Sequence, residues 1–152
     1  MTQLGDGRIV VGVDGSPASK EALAWALAEA RLRQATVEVV HVWSFPTVGL
    51  TTYGTATLPA IAPADLEHAA RETMDAVLAR AVDQDHPVPL RTTVEEGHPV
   101  DVLLERAKGA DLLVVGSRGH GGFAGMLLGS VSSHVVQHAP CPVVVVRAGT
   151  DH

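Results

Sequence analysis

The sequence predicts an α/β fold, a doubly wound parallel sheet with helices on both faces. Short runs rich in β-branched residues alternate along the chain with longer segments whose apolar residues recur at helical spacing. Such alternation is typical of parallel sheets, because each parallel connection must cross over the sheet. The length of 152 residues suits one domain, so we expect a single domain over residues 1–152 with a core at about 7–148.

Five strands are predicted from the apolar and β-branched runs. They are Arg8–Val13, Thr36–Trp43, Leu90–Glu95, Asp111–Gly116 and Pro142–Arg147. The first, fourth and fifth runs are nearly pure apolar, which is typical of strands covered on both faces.

Four helices are predicted between and after these strands. Their periodic apolar positions lie within Leu23–Ala30, Leu66–Ala81, Val100–Ala107 and Val131–Ala139. Ser16 before Pro17 predicts an N-cap followed by proline in the first turn, and Pro63 and Pro99 suit the same position in the next two helices.

One long connection interrupts the alternation. Ser44 to Ala62 is rich in threonine, glycine and proline and has no clear period. Connections of this length are lids, binding loops or mobile connectors. The sequence leaves a lid and a connector open; in a lid, Phe45 and Tyr53 are the residues suited to cover a bound ring.

Composition and charge exclude several classes of function. With 46% hydrophobic and 18% charged residues, the chain has enough apolar residues for a core. Its net charge is −6, and its two lysines and nine arginines are scattered, which disfavours nucleic acid and anionic membranes as partners. No apolar run reaches the roughly 18 residues of a membrane span. Met1–Gly7 lacks the features of a secretory signal, and Cys141 is the only cysteine. We therefore expect a cytoplasmic protein.

The most informative segment for function is Gly116 to Ser133, GSRGHGGFAGMLLGSVSS. It begins where the fourth strand ends and runs into the fourth helix, where backbone N–H groups and a helix N-terminus can hold an anion. Its glycines are followed by Ser130, Ser132 and Ser133, whose hydroxyls can cap the helix and donate to phosphate oxygens. The segment predicts a phosphate site; the alternative is a flexible turn with an ordinary serine cap.

Two common phosphate motifs do not account for this segment. A Walker A loop needs a lysine before serine or threonine, whereas Lys20 and Lys108 precede glutamate and glycine. Gly119, Gly121 and Ala124 match the dinucleotide pattern G-x-G-x-x-A, but only one strand follows them, too few for a second half that would hold a dinucleotide.

Spaced as G-x2-G-x9-G-S, through Gly116, Gly119, Gly129 and Ser130, the segment resembles the nucleotide-binding signature of the universal stress protein family, in its ATP-binding branch. The resemblance extends over nearly the whole chain. It includes IVVGVDGSPAS at 9–19, His41 and Val42 at the end of the second strand, GHP at 97–99, ADLLVVGSRG at 110–119 and APCPVVVVR at 139–147.

The resemblance implies an adenine nucleotide α-hydrolase-like sheet of order 3-2-1-4-5, in which Asp14 and the glycine loop face one crevice. It also implies site residues. Gly12, Val13 and Asp14 would lie against adenine and ribose, and Val42 would contact adenine. The residues that would contact ribose and phosphates are Gly116, Gly119, Gly129, Ser130, Val131 and Ser132.

The function that the resemblance implies is that of an ATP-binding, dimeric regulator of the stress response. A divalent Mg²⁺ or Mn²⁺ ion would be carried by the phosphates, without a metal site of the protein's own. No lysine or paired acid is placed to act on the γ-phosphate, so we expect no catalytic residue and at most slow ATP hydrolysis. The alternatives are a cyclic AMP-binding member of the family, an enzyme that cleaves ATP between the α- and β-phosphates, and a dimeric module that binds no nucleotide.

The last strand suggests self-association. Val143 to Val146 is an apolar run, and an unpaired strand edge of this kind can pair with another chain. Since universal stress proteins commonly dimerise through this strand, we predict a homodimer.

Three other constellations are interpreted as structural. His134, His138 and Cys141 have metal-ligand spacing but no further ligand, so the histidines are expected to be ordinary surface residues. Ser117 is expected in a flexible loop rather than at a strained nucleophile turn. Glu95 and Glu96 are adjacent near a strand end and point to opposite faces, so they are expected to be solvated rather than an acid and base pair.

Overall fold

A computed structural model describes residues 7–45, 62–119 and 127–149. Within these ranges five strands alternate with four helices. The strands are β1 (Arg8–Gly12), β2 (Thr36–Trp43), β3 (Leu90–Glu96), β4 (Leu112–Gly116) and β5 (Val143–Val146). The helices are α1 (Pro17–Arg33), α2 (Pro63–Ala81), α3 (Pro99–Arg106) and α4 (Ser130–His138). The predicted lid or connector falls almost wholly on residues 46–61, which lie outside the described residues.

The strands form one parallel sheet in the order β3-β2-β1-β4-β5. At its centre Val11 lies opposite Val39 on one side and Val114 on the other. The chain winds from β1 outward to β3 and then crosses to β4 and β5, so the winding reverses between β1 and β4. This confirms the predicted fold class and the implied strand order. In sheets of this kind, ligands bind beyond the carboxyl ends of the strands at such a reversal.

Side-chain alternation along the strands builds two apolar cores. Ile9 and Val11 point to the face that packs against buried residues of α1 and α2. Val10 points to the other face, which packs against α3 and α4. Helices therefore cover both faces, as predicted. No helix among the described residues is both long enough and apolar enough to cross a membrane.

The predicted start signals hold for three helices and fail for the fourth. The Ser16 hydroxyl accepts a hydrogen bond from the Ser19 N–H at 3.3 Å. Pro17, Pro63 and Pro99 occupy first-turn positions. In α4 the expected serine cap is wrong, because Gly129 is the N-cap residue and makes no side-chain cap bond. The serines come after the cap, inside the first turn.

Strand β5 is covered on both faces, but less completely than β1. Val144 and Val146 pack against one core, and Val143 and Val145 against the other. The strand lies at the sheet edge, and all four of its valines are only half-buried. By contrast, the three central residues of β1 are completely buried. The cover is incomplete because an edge strand has a neighbouring strand on one side only.

A buried carboxylate in β2 was not predicted from the sequence. Glu38, 4% exposed, pairs with Arg8 at 2.9 Å and Arg106 at 3.3 Å. The Thr93 hydroxyl donates to it at 3.3 Å. Glu95 pairs with Arg106 at 2.9 Å, which raises the pKa of that guanidinium, so Glu95 is not simply solvated. This network joins β1, β2 and β3 to the end of α3.

Candidate functional site

A cleft of about 390 Å³ lies at the reversal point, beyond the ends of β1 and β4. This volume is within the usual range of small-molecule sites. All ten site residues named from the sequence line it: Gly12, Val13, Asp14, Val42, Gly116, Gly119, Gly129, Ser130, Val131 and Ser132. The cleft is also lined by residues that were not predicted as site residues: Ser16, Ser19, Val40, Pro99, Leu103, Val115 and Arg118.

The turn after β1 is fixed by hydrogen bonds around Asp14. One carboxylate oxygen, Oδ1, accepts from the Ser16 N–H at 2.8 Å, and the Asp14 N–H donates to Ser19 Oγ at 3.2 Å. Gly15 between them has a φ of 84°, a backbone conformation that favours glycine. The other oxygen, Oδ2, lies so close to Gly119 that a Cβ there would collide with it. The fold thus brings Asp14 and the glycine loop together, as the resemblance implied.

His41 reinforces this edge of the cleft from the neighbouring strand. The Val13 N–H donates to the Val40 carbonyl at 2.9 Å, which continues the β1–β2 pairing beyond the end of β1. His41 Nδ1 lies 2.8 Å from the Val13 carbonyl. A carbonyl only accepts, so this nitrogen is the donor and carries a hydrogen. Both bonds hold Val13 at the cleft wall.

Two of the predicted site glycines also lie at close packing contacts between elements. A Cβ on Gly116 would lie 2.8–2.9 Å from backbone and Cβ atoms of Ala18 and Ser19 at the start of α1. A Cβ on Gly12 would lie 3.0 Å from both methyl carbons of Leu103 in α3. These glycines let helices approach the strand ends closely, a role that the sequence analysis did not assign to them.

Ser117 is an anchor, and the expectation of a flexible loop is wrong for it. Its side chain is buried, and its N–H donates to the Val146 carbonyl at 2.8 Å. Its own carbonyl accepts from the Gly129 N–H at 2.6 Å and from the Ser132 hydroxyl at 2.8 Å. The two ends of the glycine-rich segment are therefore held together by Ser117, although His120, Gly121, Gly122 and Gly125 lie outside the described residues.

The N-terminus of α4 opens on the cleft. The first N–H groups of a helix have no partner within the helix, and no side chain of a described residue caps α4. Ser130, Val131 and Ser132 supply these N–H groups and line the cleft. The Ser132 hydroxyl already donates to the Ser117 carbonyl. Ser132 can therefore offer its N–H to an anion, whereas the expectation that its hydroxyl would donate to phosphate is wrong.

The opposite side of the cleft is apolar. It is formed by Val40 and Val42 of β2 and by Pro99 and Leu103 of α3. Val42 is half-buried and also packs against the core on the α3 and α4 face of the sheet, so it contributes both to the core and to the cleft lining. Leu103 was predicted as a core residue because it lies at a periodic apolar position of α3. Its contribution to the cleft was not predicted.

The remaining constellations take structural roles. His134 and His138 are exposed, and His134 Nδ1 bonds the Ser130 carbonyl at 2.7 Å. Cys141 is half-buried, and that burial raises the pKa of its thiol.

Comparison with known proteins agrees with this geometry. The model of the universal stress protein family matches residues 7–147. This chain belongs to the universal stress protein family. A universal stress protein from Mycolicibacterium smegmatis is 41% identical over 141 residues, which is 91% of this chain and 45% of the relative. The chain thus spans less than half the length of that curated relative.

Solved universal stress proteins share the fold. One in complex with cAMP has a TM-score of 0.64 and 28% identity, with 95% of this chain and 98% of that chain covered. The universal stress protein from Archaeoglobus fulgidus in complex with dAMP has a TM-score of 0.63 and 25% identity, with coverages of 92% and 97%. Both neighbours hold an adenine nucleotide.

Proposed function

We propose that this chain binds an adenine nucleotide, with ATP as the leading candidate, in the cleft between β1 and β4. The observation that carries the proposal is the meeting of three features in one cleft: the carboxylate of Asp14, the glycines at 116, 119 and 129, and the N-terminus of α4. Adenine complexes of solved family members support it.

The two sides of the cleft suit the two ends of a nucleotide. The apolar side at Val42 and Leu103 can pack against a base, while Asp14 accepts hydrogen bonds from a ribose or an amino group. The α4 N–H groups and the glycine backbone suit phosphate oxygens. A Mg²⁺ or Mn²⁺ ion would arrive with the phosphates and neutralise part of their charge.

The cleft favours a regulator over a metabolic enzyme. Among the described residues that line it, Asp14 is the only carboxylate, and none is a lysine or histidine. General acid–base catalysis needs groups placed at the attacking and leaving atoms, and this set lacks a second one. We therefore propose at most slow ATP hydrolysis. We also propose that the chain acts in the cytoplasm as a dimer paired through β5.

Ser117 offers a route from nucleotide to dimer. It bonds the end of β5 through the Val146 carbonyl and the start of α4 through Gly129 and Ser132. A phosphate held by α4 would stabilise this junction and with it the outer strand. Slower hydrogen exchange at Ser117 and in β5 on saturation with nucleotide is the expected sign, and unchanged exchange there would contradict this route.

Cyclic AMP is the second candidate ligand, since one solved neighbour holds it. Calorimetric titration of ligand-free protein with ATP, ADP, AMP and cyclic AMP, with and without Mg²⁺, tests both candidates. We expect binding of ATP; tighter binding of cyclic AMP would favour the alternative, and no binding by any of them would overturn the proposal.

A Gly129 pair locates the site. A Cβ on Gly129 would lie 3.7 Å from the Gly119 amide nitrogen and 3.4 Å from Arg118 Cα, ordinary contact distances. Gly129→Ala should therefore fold and bind, whereas the branched side chain of Gly129→Val should crowd the Gly119 amide and abolish binding. If Gly129→Val binds the nucleotide as tightly as Gly129→Ala does, the nucleotide lies elsewhere.

A further inference from the structure

Arg118 is the only cationic side chain among the described residues that line the cleft. It follows the buried anchor Ser117 and precedes Gly119. It is exposed, and it takes part in none of the ion pairs or side-chain hydrogen bonds found among the described residues. Its guanidinium is therefore not committed to any carboxylate within residues 7–45, 62–119 and 127–149.

The backbone of Arg118 is held in place although its side chain is exposed. Ser117 is fixed by bonds to Val146, Gly129 and Ser132. The Cα of Arg118 lies 3.4 Å from the point that a Cβ on Gly129 would occupy, next to the N-terminus of α4. The side chain thus starts from a backbone position that hydrogen bonds hold beside the N-terminus of α4.

We infer that Arg118 is a specificity-determining residue that makes the cleft favour nucleotides with more phosphate charge. The inference rests on the proposed nucleotide site and adds a choice among its ligands. A guanidinium forms paired, charge-assisted bonds with phosphate oxygens. The binding free energy that the guanidinium contributes grows with phosphate charge. That charge increases from cyclic AMP, a diester with a single charge, through AMP to ATP.

The α4 N-terminus cannot make this choice as sharply. Its N–H groups are fixed and carry a partial charge of roughly half an elementary charge, and they meet whichever phosphate is bound nearest to the helix. A long arginine side chain reaches further phosphates along the chain of a triphosphate. Removing it should therefore penalise ATP most and cyclic AMP least.

The test compares Arg118→Gln, Arg118→Lys and Arg91→Gln with the unaltered chain. Arg91 is exposed in β3 and does not line the cleft, so its variant removes the same charge at a distance. Calorimetric affinities for ATP, AMP and cyclic AMP are measured at two salt concentrations, and thermal unfolding without nucleotide checks the fold.

We expect Arg118→Gln to weaken the binding of ATP roughly tenfold, that of AMP about threefold and that of cyclic AMP no more than about twofold. Arg118→Lys should recover part of the lost affinity, and Arg91→Gln should change the affinities little. The loss of affinity for ATP in Arg118→Gln should be smaller at high salt. Equal losses for all three ligands, or none, would overturn the inference while leaving the nucleotide site standing. No binding to the unaltered chain would instead overturn the proposed function and the inference with it.

Discussion

The Ser132 hydroxyl donates a 2.8 Å hydrogen bond to the carbonyl of Ser117, joining the first turn of α4 to the end of β4. Both residues are buried, and Ser117 in turn bonds the last residue of β5. One side-chain hydroxyl therefore helps to fix the polar wall of the candidate nucleotide cleft.

Ser132→Ala should destabilise the protein by about 1 kcal/mol, the usual net value of such a bond. It should also weaken nucleotide binding, because the α4 N-terminus loses an attachment to β4. Urea unfolding and calorimetric titration give the two quantities. Ser133→Ala, one residue further along the same helix, is the control and should change both much less. Equal effects of the two variants would contradict the role given to the Ser117–Ser132 bond.

Glu38→Gln should cost about 1–3 kcal/mol of stability, because Arg8 would lose its charged partner and Arg106 one of its two while both remain partly buried. Urea unfolding measures the loss. Glu105→Gln is a matched control, since Glu105 pairs with Lys108 at the surface, where both side chains are about two-thirds exposed or more. Its effect should stay below about 0.5 kcal/mol. Similar losses in the two variants would show that the buried network adds nothing.

Gly116→Ala and Gly129→Ala compare a glycine crowded by a neighbouring helix with one that has room for a Cβ atom. The new Cβ at 116 would meet the α1 backbone at 2.8 Å, so we expect a loss of about 1–3 kcal/mol from overpacking. At 129 the backbone is extended and the contacts are ordinary, so the loss should stay below about 1 kcal/mol. Denaturant unfolding of both variants measures this. A larger loss at 129 than at 116 would refute the packing argument.

Val145→Pro should convert the proposed dimer to a monomer. The carbonyls of Pro142 and Val146 accept bonds from Leu113 of β4 and from Ser117 just after β4. Backbone groups of successive residues point to opposite sides of a strand. The Val145 N–H therefore faces the open edge, where proline removes a donor without breaking the β4–β5 ladder.

The mass of each variant is measured by light scattering during gel filtration. Val145→Thr, which keeps the N–H, should remain a dimer. A monomeric unaltered chain, or a dimeric Val145→Pro, would contradict pairing through β5.

Cys141 should react slowly with iodoacetamide in the folded protein. Burial raises the pKa of its thiol, and only the thiolate is nucleophilic. The midpoint of the rate against pH should lie higher in the folded chain than in urea. By linkage, stability should fall as pH rises above the ordinary thiol pKa, where the unfolded chain loses its proton first. Since it is the only cysteine, labelling followed by mass spectrometry gives the rate directly; equal midpoints would contradict a buried thiol.

Much of the site was predictable because its residues follow directly on strands. Asp14 comes two residues after β1, and the glycine loop begins at the end of β4, so local patterns placed both at strand ends. Their meeting in one cleft required the strand order, which came from family resemblance rather than from periodicity. Arg118 lies within the Gly116–Ser133 segment, but only the structure shows that it lines the cleft.

By itself the sequence determined the number, type and starts of most elements, because helix caps, first-turn prolines and apolar periods act over a few neighbouring residues. Tertiary structure decided what depends on residues distant in the chain. Arg8 reaches the carbonyl of Arg106, 98 positions away, and Gly116 must lack a side chain because α1 begins against it. Burial, long-range hydrogen bonding and close approach are properties of partners brought together by folding, and no local pattern encodes which partners those will be.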